Sequence, residues 1–181
     1  MSDEPLRIAH TYELTSAELA GIRALLDEAF EGDFSDEDWD HGLGGIHVLV
    51  HERGVLVAHG SVVQRRVLHR GRSLRIGYVE AVAVRADRRR QGHGGRVMEA
   101  LERVVDRAYF FGALSASDDG AFLYASRGWR PWPGRIETLG PEGVVRLPGE
   151  EGSTYLRRAS GRPLPDPAAA LVFDWRDGDV L

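Results

Sequence analysis

The residues best suited to chemistry lie in Gly77-Tyr-Val-Glu80-Ala-Val-Ala-Val-Arg85-Ala-Asp-Arg-Arg89-Arg-Gln-Gly92-His-Gly94-Gly95. The β-branched run predicts a strand, the basic glycine-bearing stretch a turn, and the residues from near Arg96 onward a helix. A strand feeding a loose turn and an exposed helix N-terminus makes an anion site, because unpaired backbone N–H groups face the ligand and the helix dipole favours negative charge. Wrapping a diphosphate requires inward N–H groups, unusual dihedrals and close approach without Cβ atoms, which the glycines permit. Read blandly, the same glycines are ordinary helix caps, and Arg85, Arg88, Arg89, Arg90 and Arg96 are a solvated face. Glu80 is the second chemical candidate. A carboxylate inside an apolar strand, flanked by Val79 and Ala81, is expected to be partly desolvated with a raised pKa, as suits a general base. Its competing reading is a strand-end carboxylate paired with an arginine such as Arg75.

The elements that must hold these groups can be read from pattern. Leu6-Arg-Ile8 is a short strand. Thr15-Ser-Ala-Glu18 forms a capping box ahead of Leu19, Ile22, Leu25, Leu26, Ala29 and Phe30, which recur at helical spacing. Ser35-Asp-Glu-Asp38 opens a second, short helix that Gly44-Gly45 ends. Ile46 to His51, the turn Glu52-Arg-Gly54 and Val55 to Val63 read as a hairpin. Arg70-Gly-Arg-Ser73 turns into a long strand from Leu74 to Val84. The helix after the glycine turn carries Val97, Leu101, Val104, Val105 and Ala108 on one stripe. Gly112-Ala-Leu-Ser115 is a small-residue strand, and Ser117 caps a helix that Gly128 stops. Late strands fall within Trp129 to Leu147, followed by an acidic loop from Pro148 to Gly152. The stiff Arg162-Pro-Leu-Pro-Asp-Pro167 leads to a closing strand at Leu171-Val-Phe173.

The 181 residues suffice for one well-buried core and are too few for two comfortable domains, so a single domain, 1–181, is expected. Apolar and charged contents of 43% and 28% are ordinary for a globular protein. The absence of cysteine excludes disulfides, thiolate metal sites and a Cys nucleophile. His47 and His51 share a strand face but lack the further ligands of a zinc site, so no metal is expected. Net charge is −5, with basic residues gathered at 65–75 and 85–107. That balance argues against a nucleic-acid partner and suits a local phosphate grip in a protein whose second ligand is cationic. Asp3, Glu4, Arg7 and Glu13 occupy the place of a leader's apolar core, and no apolar run approaches a membrane span. The expected compartment is the cytoplasm of a microbe, without a membrane partner.

Within the turn, Arg89-Arg-Gln-Gly92-His-Gly94 fits (Gln/Arg)-x-x-Gly-x-(Gly/Ala). That motif resembles the pyrophosphate loop with which GCN5-related N-acetyltransferases grip acetyl-CoA. The element order βααβββαβαβ(β) resembles the same superfamily over nearly the whole chain. The implied fold is α/β with a mixed α+β sheet, a splayed central sheet flanked by helices. Separated blocks narrow the likeness: Gly32-Asp-Phe34, Asp38-Trp39, Leu43-Gly-Gly45, Val63-Gln-Arg-Arg66, Gly77-Tyr-Val-Glu80, Val82-Ala-Val-Arg-Ala-Asp87, Gly112-Ala-Leu-Ser115, Leu123-Tyr-Ala-Ser-Arg-Gly-Trp129, Pro131-Trp132 and Asp174-Trp-Arg. Together they resemble the aminoglycoside 2′-N-acetyltransferases of actinobacteria.

The resemblance implies transfer of acetyl from acetyl-CoA to the 2′-amine of an aminoglycoside, by direct attack in a ternary complex. Glu80 would act on the amine through water, and Tyr124 would protonate the departing thiolate, with core packing beside Phe122 and Trp129 as that tyrosine's competing role. The main chain of Val82, Ala83 and Val84 would bond the pantetheine arm and thioester at a bulge that nothing in the sequence marks. Arg89, Arg90, Gln91, Gly92, His93, Gly94 and Gly95 would hold the pyrophosphate. Asp33, Glu80, Ala81, Ser115, Gly149, Glu150, Asp179 and the terminal carboxylate at Leu181 would bind the polycation. Departures from the actinobacterial pattern are Leu181 for an aromatic residue, Glu150-Glu151 for aspartates, and a more glycine-rich loop. Another small amine, either a polyamine or a peptide N-terminus, is an alternative substrate, and a non-catalytic CoA- or aminoglycoside-binding protein an alternative function. Oligomeric state stays open, a homodimer included.

Overall fold

The computed structural model describes residues 6–181, so Asp3 and Glu4 lie outside the described residues. The described residues form two compact units: 6–63 together with Val79–Arg103, and Gln64–Tyr78 together with Val104–Leu181.

In the first unit, β1 (Arg7–His10) pairs antiparallel with β2 (Ile46–Glu52), which pairs antiparallel with β3 (Val55–His69). The β2–β3 hairpin turns through Arg53 and Gly54, both with positive φ, as a two-residue turn of right-handed twist demands. Helix α1 (Ser16–Ala29) starts on the predicted capping box, with Thr15 accepting from the Glu18 N–H and Glu18 accepting from the Thr15 N–H. Its Ile22 and Leu26 pack with Ala9, Leu14, Leu49 and Ala83. Ser35 caps the short α2 (Asp36–His41) in the same way, and that helix closes on Gly42, ahead of the expected Gly44-Gly45. The C-terminal part of β4 (Arg72–Val84) completes this unit's sheet. Helix α3 (His93–Ala108) begins three residues before Arg96. Gly60 lets it settle on the sheet, since a Cβ there would lie 2.6 Å from Val97 and 3.1 Å from Leu101.

In the second unit, β3 and β4 meet at the turn Arg70–Gly71, again with two positive φ angles. The sheet runs β6-β9-β5-β4-β3-β10-β7-β8, with β5 (Phe111–Ser115), β6 (Arg130–Pro131), β7 (Ile136–Gly140), β8 (Gly143–Arg146), β9 (Thr154–Arg158) and β10 (Leu171–Asp174). β4 and β5 pair in parallel at Gly77↔Gly112 and Tyr78↔Ala113. The two facing glycines leave room for rings: a Cβ at Gly77 would strike Tyr109 and one at Gly112 would strike Trp129, with Val105 of α3 against both. Helix α4 (Asp118–Ser126) is capped by Ser117 as expected. The strand β9 was not foreseen. Its alternation, with Thr154 and Leu156 buried and Tyr155 and Arg157 half-exposed, follows directly on an acidic loop and an isolated 3₁₀ turn. Pairing with both β5 and β6 is what makes it a strand.

Among the described residues no helix is long and apolar enough to cross a membrane. No cluster of three or more His, Asp or Glu side chains among them is arranged to hold a metal.

Candidate active site

The glycine loop expected to hold a phosphate, Arg89–Gly95, belongs to the first unit. Arg96 N donates to Gly92 O, so Gly92 (φ +88°) is the residue on which α3 starts. The N–H groups of His93, Gly94 and Gly95 therefore sit in the first turn, where an α-helix supplies them no partner of its own. Arg90 also has positive φ, at +59°. The basic cluster divides. Arg85 is held by a bidentate pair with Asp87 at 2.7 and 2.6 Å, and Arg88 bridges Asp87 and Glu52. Hydrogen bonding to Arg85 keeps the Asp87 carboxyl below its ordinary range. Among the described residues no carboxylate pairs with Arg89 or Arg90. Arg89 makes a long hydrogen bond to Val84 O, and Gln91 donates to Asp87 O. The His93 side chain is 6% exposed and faces Glu52 at 3.0 Å, so what it offers outward is backbone.

Glu80 lies half-buried one residue before Ala81, whose φ is +50° in the middle of β4. A left-handed residue with a Cβ costs about 1–2 kcal/mol, and it kinks the strand just before Val82, Ala83 and Val84. The two carbonyls flanking the kink bond to β3 side chains: Ser61 Oγ donates to Glu80 O at 3.5 Å, and His59 Nδ1 donates to Ala81 O at 3.0 Å. His59 continues to His47 (2.9 Å), and His47 to Thr11 Oγ1 (2.8 Å). Burial pushes the His59 pKa down to about 3 and that of His47 to about 4, the neighbouring His47 and His10 charges adding to the respective shifts. His47 thus partners His59 rather than His51. Asp33, in the same unit, is exposed on the turn after α1, its N–H bonded to Phe30 O.

The second unit carries the remaining residues. Ser115, at the end of β5, donates to Glu150 Oε2 at 3.2 Å, so two predicted substrate residues meet. Ser153 and Thr154 both donate to Glu150 O and fix the loop that includes Gly149. Glu151 points elsewhere. It takes a bidentate pair from Arg146, which lowers its pKa, and that separates the two adjacent glutamates into one open and one structural. Tyr124, 9% exposed, packs edge-on against Trp129, and burial pushes its hydroxyl up to about 12. Asp179 is exposed, and the tail bearing it and Leu181 is anchored by Arg65. That guanidinium, 3% exposed, donates to Asp174 Oδ1 (2.8 Å), Asp174 O (2.7 Å) and Val180 O (2.7 Å) while lying over the Tyr78 and Phe173 rings.

The acetyltransferase (GNAT) domain family matches residues 10–132. The chain belongs to the GNAT acetyltransferases. It is 49% identical over 177 residues to an aminoglycoside 2′-N-acetyltransferase of Mycolicibacterium fortuitum, covering 96% of this chain and 90% of that protein. Its fold is also that of a GNAT family N-acetyltransferase from Escherichia coli in complex with CoA (TM-score 0.65, 18% identity, 96% of this chain and 89% of that one). A GNAT family acetyltransferase from Brucella melitensis in complex with acetyl-CoA is similar too (TM-score 0.59, 16% identity, 92% and 95%).

For this GNAT acetyltransferase, two supporting groups escaped the sequence reading. Arg65 was visible only as part of a block, yet it stands between Val63 and Val67 in the inward row of an alternating strand, where a charge needs an explanation. His59 sits in a run of seven buried residues, Val57 to Val63, and its spacing from His47 gives no local clue.

Arg65→Lys is expected to lower stability by roughly 2–3 kcal/mol in urea unfolding, because one ammonium cannot serve three acceptors fanned around a planar fork. Stability within about 0.5 kcal/mol of wild type, inside the range of ordinary surface changes, would show that the fork is dispensable. The histidines predict an acid limb. Above pH ~6.5 both are neutral whether folded or unfolded, and stability is flat with respect to them. Below it the unfolded chain takes up protons that the folded pair, at about 4 and 3, refuses. Stability therefore falls by up to about 1.4 kcal/mol per pH unit for each histidine, levelling off for His47 near pH 4. Replacing both by asparagine should flatten the limb between pH 6 and 4 in unfolding titrations, and an unchanged slope would contradict the assignment.

Proposed function

We propose that the chain is a single cytoplasmic acetyltransferase domain that moves acetyl from acetyl-CoA to the 2′-amine of an aminoglycoside. The observation that carries the reading is its near full-length similarity to a relative named for that reaction. The fold and the two units' side chains are consistent with it. Acetyl-CoA supplies the acetyl group as a thioester. Its pyrophosphate suits the α3 N-terminus and Arg89 and Arg90, which have no carboxylate partners among the described residues, with Gln91 and the first-turn N–H groups of His93, Gly94 and Gly95 completing the grip. The kinked main chain at Val82, Ala83 and Val84 is the place for the pantetheine arm and thioester oxygen.

Glu80 takes the proton from the attacking amine through water. Tyr124 supports the departing sulfur. With its hydroxyl at about 12, full transfer to a thiolate whose acid lies near ~8.5 is uphill by roughly 5 kcal/mol. A hydrogen bond from the phenol to the developing charge avoids that cost, so Tyr124 acts as a donor that stays protonated. Asp33, Ser115, Gly149, Glu150, Asp179 and the Leu181 carboxylate, with Ala81 beside the base, receive the ammonium groups.

Mass spectrometry should find one added acetyl on tobramycin, which carries a 2′-amine, and none on a kanamycin with a 2′-hydroxyl, which should inhibit competitively. Product from the latter, or acetylation of tobramycin at another position, would overturn the 2′ assignment. Glu80→Gln should lower kcat by about 10²–10⁴ with the acetyl-CoA KM nearly unchanged. If its pH–rate profile keeps the wild-type shape, Glu80 is not the base.

A further inference from the structure

The kink at Ala81 needs its own support. A residue with a Cβ stays at φ +50° only where the surroundings over-determine it. The supports are side chains of one strand. Ser61 and His59 are alternate residues of β3, so they share a face, and each bonds one of the two carbonyls next to the kink. Both are essentially inaccessible to solvent.

Proton positions along the chain follow from its end. The Ala81 carbonyl only accepts, so His59 Nδ1 carries hydrogen and its Nε2, in the neutral ring, accepts. His47 Nδ1 must then donate to His59 Nε2, and His47 Nε2 accepts from the Thr11 hydroxyl. Thr11 Oγ1 in turn accepts from Gly44 N–H at 2.9 Å. The Thr11 hydroxyl also lies 3.3 Å from Gly45 O, but its shorter contact is to His47, and the chain ties the loop before β2 to the kinked residue. A proton shuttle is excluded by the same logic, since a carbonyl oxygen at the terminus cannot pass a proton on.

We propose that His59, oriented by His47 and Thr11, is a positioning residue that holds the Ala81 carbonyl and so aims Glu80 and the main chain of Val82–Val84. The anchoring stands on geometry alone. Its effect on turnover rests on the acetyl-transfer reading given above. Both histidines are buried, so the role is one of positioning the backbone. Small misplacements of reacting groups are costly, so an unanchored kink should be felt in kcat rather than only in stability.

The test uses the full chain. In long-range ¹H–¹⁵N spectra of the wild type, His59 and His47 should both be Nδ1–H tautomers, with ring protons slow to exchange. His59→Asn places an amide N–H where Nδ1 stood, and it should keep kcat per folded molecule within about threefold. His59→Leu, which cannot donate, should lower kcat per folded molecule by about 10–100-fold and raise the acetyl-CoA KM. An Nε2–H tautomer at His59, a loss of kcat beyond about tenfold in His59→Asn, or a folded His59→Leu with wild-type kcat would each overturn the proposal. If His59→Leu does not fold, the tautomer and the asparagine variant decide. A wild type that acetylates no amine would sink the acetyl-transfer reading, while the spectra would still decide the anchoring.

Discussion

Ala81 is held in a conformation that a residue with a side chain avoids, within a strand that would otherwise be regular from Arg72 to Val84. Much of the first unit is arranged around that constraint. The alanine methyl packs on the cluster built by Ala9, Leu14, Ile22, Leu26, Leu49 and Ala83, so α1 and the strands press on the kink from the apolar side. On the polar side, Ser61 and His59 occupy the carbonyls of Glu80 and Ala81 at the kink. Polar residues inside β3 are thus explained by the backbone of its neighbour. A buried histidine pair is costly to protonate, but held neutral and fully hydrogen-bonded it is a rigid spacer.

The second unit has its own charged centre. Arg65 spends all three guanidinium nitrogens on Asp174 and the Val180 carbonyl, and its planar faces on Tyr78 and Phe173. Burial alone would disfavour the charge, and Asp174 offsets part of that penalty. The result is a C-terminal tail that is bonded down at Val180 while Asp179 stays exposed. Glu150 follows the same pattern on another loop: Ser153 and Thr154 hold its backbone, and its carboxylate accepts from the hydroxyls of Ser115 and Ser153. Glu151, one residue on, is consumed by Arg146. Which acidic group is available is therefore settled by which neighbour has an arginine within reach.

The same distinction governs the basic loop. Arg85, Arg88, Arg89 and Arg90 look alike in a sequence, and Asp87 is close to all of them. Only the fold brings Glu52 from the far end of β2 to Arg88, and only the turn geometry lets Asp87 chelate Arg85, which leaves Arg89 and Arg90 without carboxylate partners among the described residues. The loop's cationic strength is smaller than its composition implies, and it is concentrated beside the helix start.

Much was legible without coordinates because its causes are local. Capping boxes at Thr15 and Ser35, the Arg-Gly turns at 53–54 and 70–71, the amphipathic stripe of α3 and the glycine turn ahead of it depend on residues within a few positions of one another. The family resemblance, too, rested on blocks of adjacent residues in order. What escaped was non-local. The strand β9 exists because β5 and β6 supply its hydrogen bonds. The left-handed Ala81 has no mark in its own residue type, which would favour an ordinary strand or helix. The roles of His59, Glu52 and Arg65 come from partners 22, 36 and 109 residues away. The sequence determined most of the elements, the glycine-bearing turn before α3 and the candidate base. Tertiary structure alone decided which charges stay available and what holds the kinked strand, because both depend on contacts whose energy exists only once distant segments have met.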